Sequence, residues 1–262
     1  MNKADTRAVK NTAALDIFFR SIFDIEGFEN IDSAMNGLQV DNDGSEIKKI
    51  VFAVDACLES FKQCARTGGN FLFVHHGLFW GVPLALKSPH RERIQFLLDN
   101  NIALYALHLP LDQHPRLGNN AALAELLGIE EPEPFGLYHG KKIGYKGKLK
   151  KPLTTDEAVK AINFMENLPL GIYPFGKELN ETCAVISGGA SREALEALEE
   201  GVDLYVTGEI NHSSYHPALE GRLNLIAGGH YATEVWGVKK LLTECTSVLN
   251  IAGEFVNIPT GL

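Results

Sequence analysis

The chain has 262 residues, of which 45% are hydrophobic and 22% are charged, and its formal net charge is −9. A chain of this length is expected to divide into two lobes, because single cores stop growing near about 250 residues. The negative charge argues against broad nucleic-acid binding, which relies on basic surfaces, but leaves room for a local basic patch.

The N-terminal segment does not resemble a signal peptide, because Asp16 and Arg20 interrupt its short apolar stretch. A helix needs about 20 consecutive apolar residues to span a bilayer, and no stretch of this sequence approaches that length. We therefore expect a cytoplasmic protein with no membrane partner. The cysteines are scattered and form no CxxC pair, so the sequence predicts neither a disulfide framework nor a thiolate zinc site.

Residues 49–76 are predicted to form a strand, a helix and a second strand. The segments KIVFAVD and NFLFVHH are apolar and β-branched or aromatic, and the intervening ACLESFKQCARTGG has helical apolar spacing. Residues 183–208 show the same order, and one constant shift pairs Val54 with Ile186 and Val74 with Val206. This agreement indicates an internal repeat.

The repeat continues along both halves of the chain. NIALYALH at 101–108 and LNLIAGGH at 223–230 are strand-like, and each is followed by a helix-like segment. Alternating strands and helices favour a mainly parallel sheet with covered faces. We predict an α/β protein formed by duplication; the alternative is chance agreement between two βαβ units.

Two segments lie between the halves. EEPEPFGLYHG at 130–140 carries two prolines and is interpreted as a linker, so we predict a first lobe at 1–129 and a second at 130–262. KKIGYKGKLKKPL then resembles a glycine-rich hairpin. Its lysines are interpreted as a solvated surface; the functional alternative is a rim that attracts an anionic substrate.

Histidines stand at the ends of three predicted strands, as His75–His76, His108 and His230. Ligands of such sheets bind beyond the carboxyl ends of the strands. Asp112 follows His108 by four residues, and Glu234 follows His230 by the same spacing. The convergence of imidazoles and carboxylates predicts a metal site.

This ligand set exceeds the three protein ligands usual for one catalytic zinc and suits two ions with a bridging carboxylate. Successive side chains of a strand point to opposite faces, so His75 and His76 are expected to contact different ions. Nitrogen and oxygen ligands together favour zinc, iron or manganese over calcium or magnesium.

The remaining polar residues are weaker candidates. His212 and His216 stand beside Glu209 and resemble a ligand pair, but a surface or substrate-facing role is favoured. Asp55 either supports a ligand or caps a helix. The other histidines are expected to be solvated in polar loops: His90, His114 and His139.

Five motifs together identify a family. In order and spacing, the chain resembles the dinuclear-metal-centre proteins of the Ngg-interacting-factor family, whose bacterial members are called GTP cyclohydrolase 1 type 2. The motifs are NGLQV at 36–40, VHHGLFWG, HLPLDQHPRLGNNAALAELLGI, VTGE and GGHYATEVWGVKKL. The chain departs from the pattern in SAMNGLQV, where other members often have Trp-Asp before the Asn.

The resemblance implies two similar intertwined three-layer α/β lobes with a dinuclear metal site between them, and a homohexamer. It implies two divalent transition-metal ions per chain, bound by His75, His76, Asp112, His230 and Glu234. His108 matches a family position near the site that is not a usual direct ligand. We assign it as a proton carrier, because an imidazole titrates near neutrality.

The expected function is that of a dinuclear metal-dependent hydrolase, like GTP cyclohydrolase 1 type 2, in which metal-activated water acts on a purine nucleotide. No P-loop glycine pattern supports a nucleotide site independently. The alternatives are a metal-dependent phosphoesterase and a non-catalytic metal carrier or scaffold protein.

Overall fold

The computed structural model describes residues 10–164 and 168–262. These residues form two β-sheets with accompanying helices, which confirms the predicted α/β class. None of their helices combines the length and apolar character needed to cross a membrane. Residues 1–9, the start of the segment predicted not to be a signal peptide, lie outside the described part.

The chain divides into two compact units. The first contains the described residues up to Leu111 together with Val238–Ile258, and the second contains Asp112–Gly237 and Pro259–Leu262. The boundary predicted from the sequence lies after residue 129. The division differs because helix α5 (Asn119–Leu127) packs its apolar side chains into the core of the second unit.

A five-stranded sheet forms the centre of the first unit, with strand order β1-β4-β3-β2-β11. Strands β2, β3, β4 and β11 are parallel, and β1 runs antiparallel to β4. The central strands are nearly continuous apolar runs, as expected where both faces of a parallel sheet are covered. The strands are β1 (Gly37–Val40), β2 (Lys49–Asp55), β3 (Phe71–His76), β4 (Ala103–Ala106) and β11 (Ala252–Phe255).

Side-chain caps fix the starts of two helices in this unit. The Asn11 side chain accepts the N–H of Ala14 at the start of α1 (Thr12–Ile22). Cys57 and Ser60 form a reciprocal capping box at the start of α2 (Leu58–Arg66). Helix α3 (His90–Asp99) follows, and the short α4 (Leu109–Gln113) begins at the end of the unit.

A six-stranded sheet forms the centre of the second unit, with strand order β5-β6-β8-β9-β10-β7. Strands β8, β9 and β10 are parallel, and the others pair antiparallel. The strands are β5 (Ile129–Tyr138), β6 (Lys141–Leu153), β7 (Gly171–Tyr173), β8 (Asn180–Ile186), β9 (Leu204–Thr207) and β10 (Asn224–Ala227). Besides α5, the helices are α6 (Thr155–Ile162), α7 (Ala194–Glu199), α8 (His212–Gly221) and α9 (His230–Leu249).

Both units contain the predicted repeat. The order β2-α2-β3-α3-β4 of the first unit matches β8-α7-β9-α8-β10 of the second, and each set of three strands is parallel with neighbours in the same succession. Helix α9 then contributes residues to both units, and the strand that follows it pairs with β2. The prediction of a duplicated α/β fold is therefore confirmed.

The interpretation of residues 130–140 as a linker is wrong. These residues form most of β5 and a tight turn, and β5 pairs antiparallel with β6. The prediction of a hairpin within KKIGYKGKLKKPL is also wrong, because that whole segment is the single strand β6. The prolines are tolerated because β5 lies at the edge of its sheet, where one side needs no hydrogen-bond donors. His139 and Gly140 both adopt positive φ in the turn, as tight hairpin turns require.

Candidate metal centre

Strand β3 carries His75 and His76 to the carboxyl end of the first sheet. Asp55 ends the neighbouring strand and stands opposite His76, and its Oδ1 accepts a hydrogen bond from His76 Nδ1 at 2.8 Å. His75 is fully buried, and its Nδ1 donates to the carbonyl of Leu107 at 2.9 Å. Of the two roles considered for Asp55, the structure shows support of a histidine, since Cys57 caps the helix.

His108 joins this pair from the loop after β4. Its Nδ1 donates to Asp32 Oδ1 at 2.8 Å, and its backbone N–H donates to Asn36 Oδ1 at 2.7 Å. The ring centroids of His75 and His108 are 5.2 Å apart. One ring nitrogen from each of the three histidines lies within 4.8 Å of those of the other two. The first unit therefore brings its predicted histidines together.

The NGLQV motif positions the loop after the two histidines. Gln39 Oε1 accepts the N–H of Leu78 at 2.7 Å, and Gln39 Nε2 donates to the carbonyl of Met35 at 2.7 Å. A side chain at Gly77 would overlap the Gln39 amide and displace it from these two hydrogen bonds. The motif thus holds the loop that follows the two histidines in place, and it contains no histidine itself.

Trp80 covers the imidazoles from the same loop. Its Nε1 donates to the carbonyl of Gly77 at 2.9 Å. Its ring meets that of His108 edge to face, with centroids 5.0 Å apart and planes at 75°. The indole is partly exposed, so it restricts the His108 ring without sealing it from solvent.

In the second unit, Asp112 is buried with 5% of its surface exposed. Its Oδ1 accepts hydrogen bonds from Asn119 Nδ2 at 2.9 Å and Ser187 Oγ at 3.0 Å. One of its carboxylate oxygens lies within 4.8 Å of an oxygen of Glu234, which is 3% exposed. Two buried carboxylates this close are a suitable pair for a cation.

Helix α9 begins at His230, and Glu234 lies one turn later. His230 Nε2 is 3.3 Å from Glu234 Oε1, and its Nδ1 donates to Glu209 Oε1 at 2.5 Å. Burial lowers the pKa of His230, but the hydrogen bonds and charges of Glu234 and Glu209 outweigh it and raise the pKa to about 9. The metal-free site therefore holds a proton on this imidazole at neutral pH.

Gly188 passes directly beside these two side chains. A Cβ at this position would overlap Glu234 Oε1 and approach His230 Nε2 to 3.1 Å, and the residue has a φ of +65°. Its N–H donates to Thr233 Oγ1 at 3.0 Å, and its carbonyl accepts from Gly208 at 2.9 Å. Only glycine fits this close approach of the backbone to the site.

The four histidines share one arrangement. In His75, His76, His108 and His230, Nδ1 bonds to a carbonyl or carboxylate oxygen, which can only accept. The proton therefore resides on Nδ1 in the neutral ring, and Nε2 presents the lone pair. Metal-binding histidines in proteins are oriented by such outer oxygen partners, so the residues present fit a transition-metal site.

The other histidines are distributed as follows. His212 and His216 are exposed on α8, in line with the favoured surface role, and Glu209 contacts His230 instead of them. His139 is exposed in the β5–β6 turn. His114 is half-buried, and its Nδ1 accepts the N–H of Leu117 at 3.0 Å.

The lysines of the hairpin fit the solvated alternative. Lys146 and Lys148 lie opposite Glu133 and Glu130 on β5, and Lys146 pairs with Glu200 at 2.6 Å. Strand β6 runs antiparallel to β8, with Lys146 opposite Ala184 and Lys148 opposite Thr182.

Sequence reasoning missed the outer partners that orient the site: Asp32, Asn36, Gln39, Asn119 and Ser187. All are polar residues, and most of them bond partners that are distant in the chain, although Asn119 is only seven residues from Asp112. The NGLQV motif contains Asn36 and Gln39, and the motif HLPLDQHPRLGNNAALAELLGI contains Asn119. Glu209 was noticed in VTGE but was grouped with the wrong histidines.

The fold and the donor set together define an α/β protein with histidine–carboxylate clusters at strand ends. The chain belongs to the Duf34/NIF3 (NGG1p interacting factor 3) family, whose model matches residues 11–259. This confirms the family predicted from the motifs.

The curated relatives and solved structures agree with that membership. A GTP cyclohydrolase 1 type 2 homolog of Treponema pallidum is 38% identical, over 95% of this chain and 98% of that protein. One of Archaeoglobus fulgidus is 39% identical, over 96% of this chain and 100% of that protein. The crystal structure of TTHA1606 from Thermus thermophilus is similar, with a TM-score of 0.86 and 32% identity, and covers 96% of this chain and 100% of that chain.

Proposed function

We propose that this protein is a metal-dependent hydrolase that acts on a purine nucleotide, with GTP as the first substrate to test. The observation that carries the proposal is the common orientation of four imidazoles, each held at Nδ1 by an oxygen acceptor. The GTP cyclohydrolase 1 type 2 name of the relatives supports the substrate class.

We assign two divalent transition-metal ions per chain to His75, His76, Asp112, His230 and Glu234, following the family resemblance. Imidazole nitrogens with carboxylate oxygens suit zinc, iron or manganese. When bound, such ions supply Lewis acidity and lower the pKa of water toward neutrality. Asp112 and Glu234 are deeply buried with carboxylate oxygens within 4.8 Å of each other, and a bound cation would offset their mutual repulsion, which supports the assignment.

His108 is assigned as the proton carrier. The Asp32 carboxylate holds the proton of Nδ1, so His108 accepts or releases its exchangeable proton at Nε2. Trp80 packs edge to face on the ring and limits its rotation. An imidazole is suited to this role because it titrates near the working pH.

The experiment measures GTP turnover as the rate of formate release, with protein that has been loaded with zinc, iron or manganese. His76→Ala should abolish turnover and weaken metal binding. His108→Ala should retain the metal and reduce turnover by about 10²–10⁴-fold, the usual contribution of a general acid or base. His139→Ala, in the exposed β5–β6 turn, is the matched control and should change neither quantity.

The outcomes separate the alternatives. Hydrolysis of simple phosphoesters without formate release from GTP would favour a phosphoesterase. Turnover of neither substrate by fully metallated protein would favour a metal carrier or scaffold. From the family resemblance we also propose a homohexamer in the cytoplasm.

A further inference from the structure

A groove of about 620 Å³ lies between helices α2 and α3 of the first unit. Leu58, Leu86 and Phe96 form its apolar wall. Lys62 of α2, Lys87 of the preceding loop and Arg91 of α3 also line it. Three cations beside an apolar wall form a surface for an anion.

Among the described residues, these three cations have no carboxylate partner. The ion pairs found in that part of the chain engage other lysines and arginines. Lys62 is half-buried, so its aliphatic stem is held against the groove wall. In a chain with a net charge of −9, three unpaired cations in one groove mark a local basic site.

Two carboxylates also line the groove, and both already accept hydrogen bonds. Glu92 accepts the Ser88 hydroxyl at 2.6 Å, and Asp99 accepts the Gln95 amide at 2.7 Å. Asp99 ends α3, so it lies about 12 Å along the helix axis from Arg91 at 1.5 Å per residue. Three cations against the one carboxylate of Glu92 therefore leave a net positive charge at the end of the groove near Arg91.

The same end is close to the starts of both helices. Lys62 is in the second turn of α2, which begins at Leu58, and Arg91 is in the first turn of α3, which begins at His90. The N-terminal ends of helices carry partial positive charge. The backbone thus adds to the attraction that the three side chains exert on an anion.

The Leu58 end of the groove is near the carboxyl end of the first sheet. Helix α2 follows β2, which ends at Asp55, and the loop bearing Lys87 follows β3, which ends at His76. Asp55 and His76 are partners in the parallel ladder. An anion held by the groove would therefore lie at the same sheet end as the imidazoles.

We propose that this groove binds the phosphate chain of a nucleotide. The proposal deepens the proposed function and rests on it for the identity of the substrate. It replaces the lysine hairpin as the anion-binding feature of this chain. Phosphate oxygens accept charge-assisted hydrogen bonds from lysine and arginine, and the apolar wall limits competing water.

The test is calorimetric binding of tripolyphosphate, GTP and guanosine to metal-free protein, so that no bound metal contributes. Wild type should bind tripolyphosphate and GTP, and Lys62→Gln/Arg91→Gln should weaken both by about tenfold or more. Guanosine binding should not depend on these two charges. Lys160→Ala, an exposed lysine on α6, is the matched control and should bind like wild type.

Glutamine keeps part of the aliphatic stem of Lys62, and circular dichroism checks that the variant is folded. Failure of wild type to bind tripolyphosphate, or unchanged binding by the folded double variant, would overturn the proposal. His76→Ala separates the two ideas, because it should lose metal and turnover while keeping tripolyphosphate binding. Binding without turnover by loaded wild type would retain the groove and reject the proposed function.

Discussion

Asp32 and His108 form a buried carboxylate–imidazole pair in which Asp32 Oδ1 accepts the Nδ1 proton at 2.8 Å. The same carboxylate accepts hydrogen bonds from the backbone N–H groups of Ala34 and Leu109 and from the Asn36 amide. Four donors on one buried carboxylate fix its position. The orientation of His108 is therefore determined before any substrate arrives.

Asp32→Asn should destabilise the first unit by about 1–3 kcal/mol, because one acceptor oxygen becomes a donor that faces other donors. Burial raises the pKa of Asp32, but hydrogen bonds and charge from His108, Asn36 and Ala34 lower it below its ordinary value of 3.8. A lowered pKa adds stability that is full above pH 3.8 and is lost as pH falls through the folded-state value.

Urea unfolding of wild type and Asp32→Asn between pH 7 and pH 3 measures this difference. The gap in unfolding free energy should be widest near neutrality and should narrow in acid. A gap that stays constant with pH would mean that the carboxylate charge is not the stabilising feature. Asp41→Asn, at an exposed position, is the control.

The structure also predicts that Gly188 is essential to the arrangement of His230 and Glu234. Gly188→Ala would place a methyl group against Glu234 and His230 at a residue with a φ of +65°. We expect the carboxylate to be displaced and metal affinity to fall by about tenfold or more, as other changes around metal ligands do.

Gly201→Ala is the matched control. Gly201 has a φ of +70°, but a Cβ there would meet nothing within 4 Å. Both variants carry the backbone cost of about 1 kcal/mol, whereas only Gly188→Ala crowds the site. Equal metal affinity in the two variants would show that Gly188 does not position the ligands.

Metal loading should release a proton from His230. Burial lowers the pKa of this imidazole, but Glu234 and Glu209 raise it to about 9, and a metal ion binds only the neutral ring. The raised pKa also adds stability to the metal-free protein, which is full below pH 6.5 and is lost as pH rises through about 9.

Calorimetry of zinc binding at pH 7 in buffers of different ionisation enthalpy counts the released protons. Wild type should release more protons than His230→Gln, and the difference should vanish above pH 9. The same count in both proteins at pH 7 would contradict a protonated His230.

The sequence predicted the parts of the site that follow from local pattern. An apolar strand that ends in His75–His76 indicated a site at the carboxyl ends of the strands. The repeated strand–helix order predicted the α/β class. Asp32 could not be found this way, since it is 76 residues from His108 and the two meet only through the fold. Glu209 was misassigned because His212 is near in sequence, whereas His230 is near in space.

Residues 130–140 show a second limit of prediction from sequence. Two prolines within a glutamate-rich segment are typical of linkers, and nothing local distinguishes a linker from an edge strand. The decisive property is the position of β5 at the end of the sheet, which is a consequence of the whole topology. The hairpin predicted within KKIGYKGKLKKPL was wrong, because the whole segment is the single strand β6 and its partner strand is β5.

Assembly provides a further prediction. The family resemblance implies a homohexamer, and the chain has a mass of 28.7 kDa. Light scattering at micromolar concentration should give about six times this mass. A stable monomer across the same concentrations would contradict the assembly prediction and leave the metal assignment intact.

The central claim, that His75, His76, Asp112, His230 and Glu234 bind two transition-metal ions, is tested most directly by metal content. Protein purified without chelator and supplemented with zinc, iron or manganese is analysed by elemental mass spectrometry. The account predicts about two equivalents per chain in wild type. It predicts the loss of both in folded Glu234→Ala and no change in Glu220→Ala, an exposed α8 residue. A reproducible value near zero in supplemented wild type, or full retention by Glu234→Ala, would contradict it.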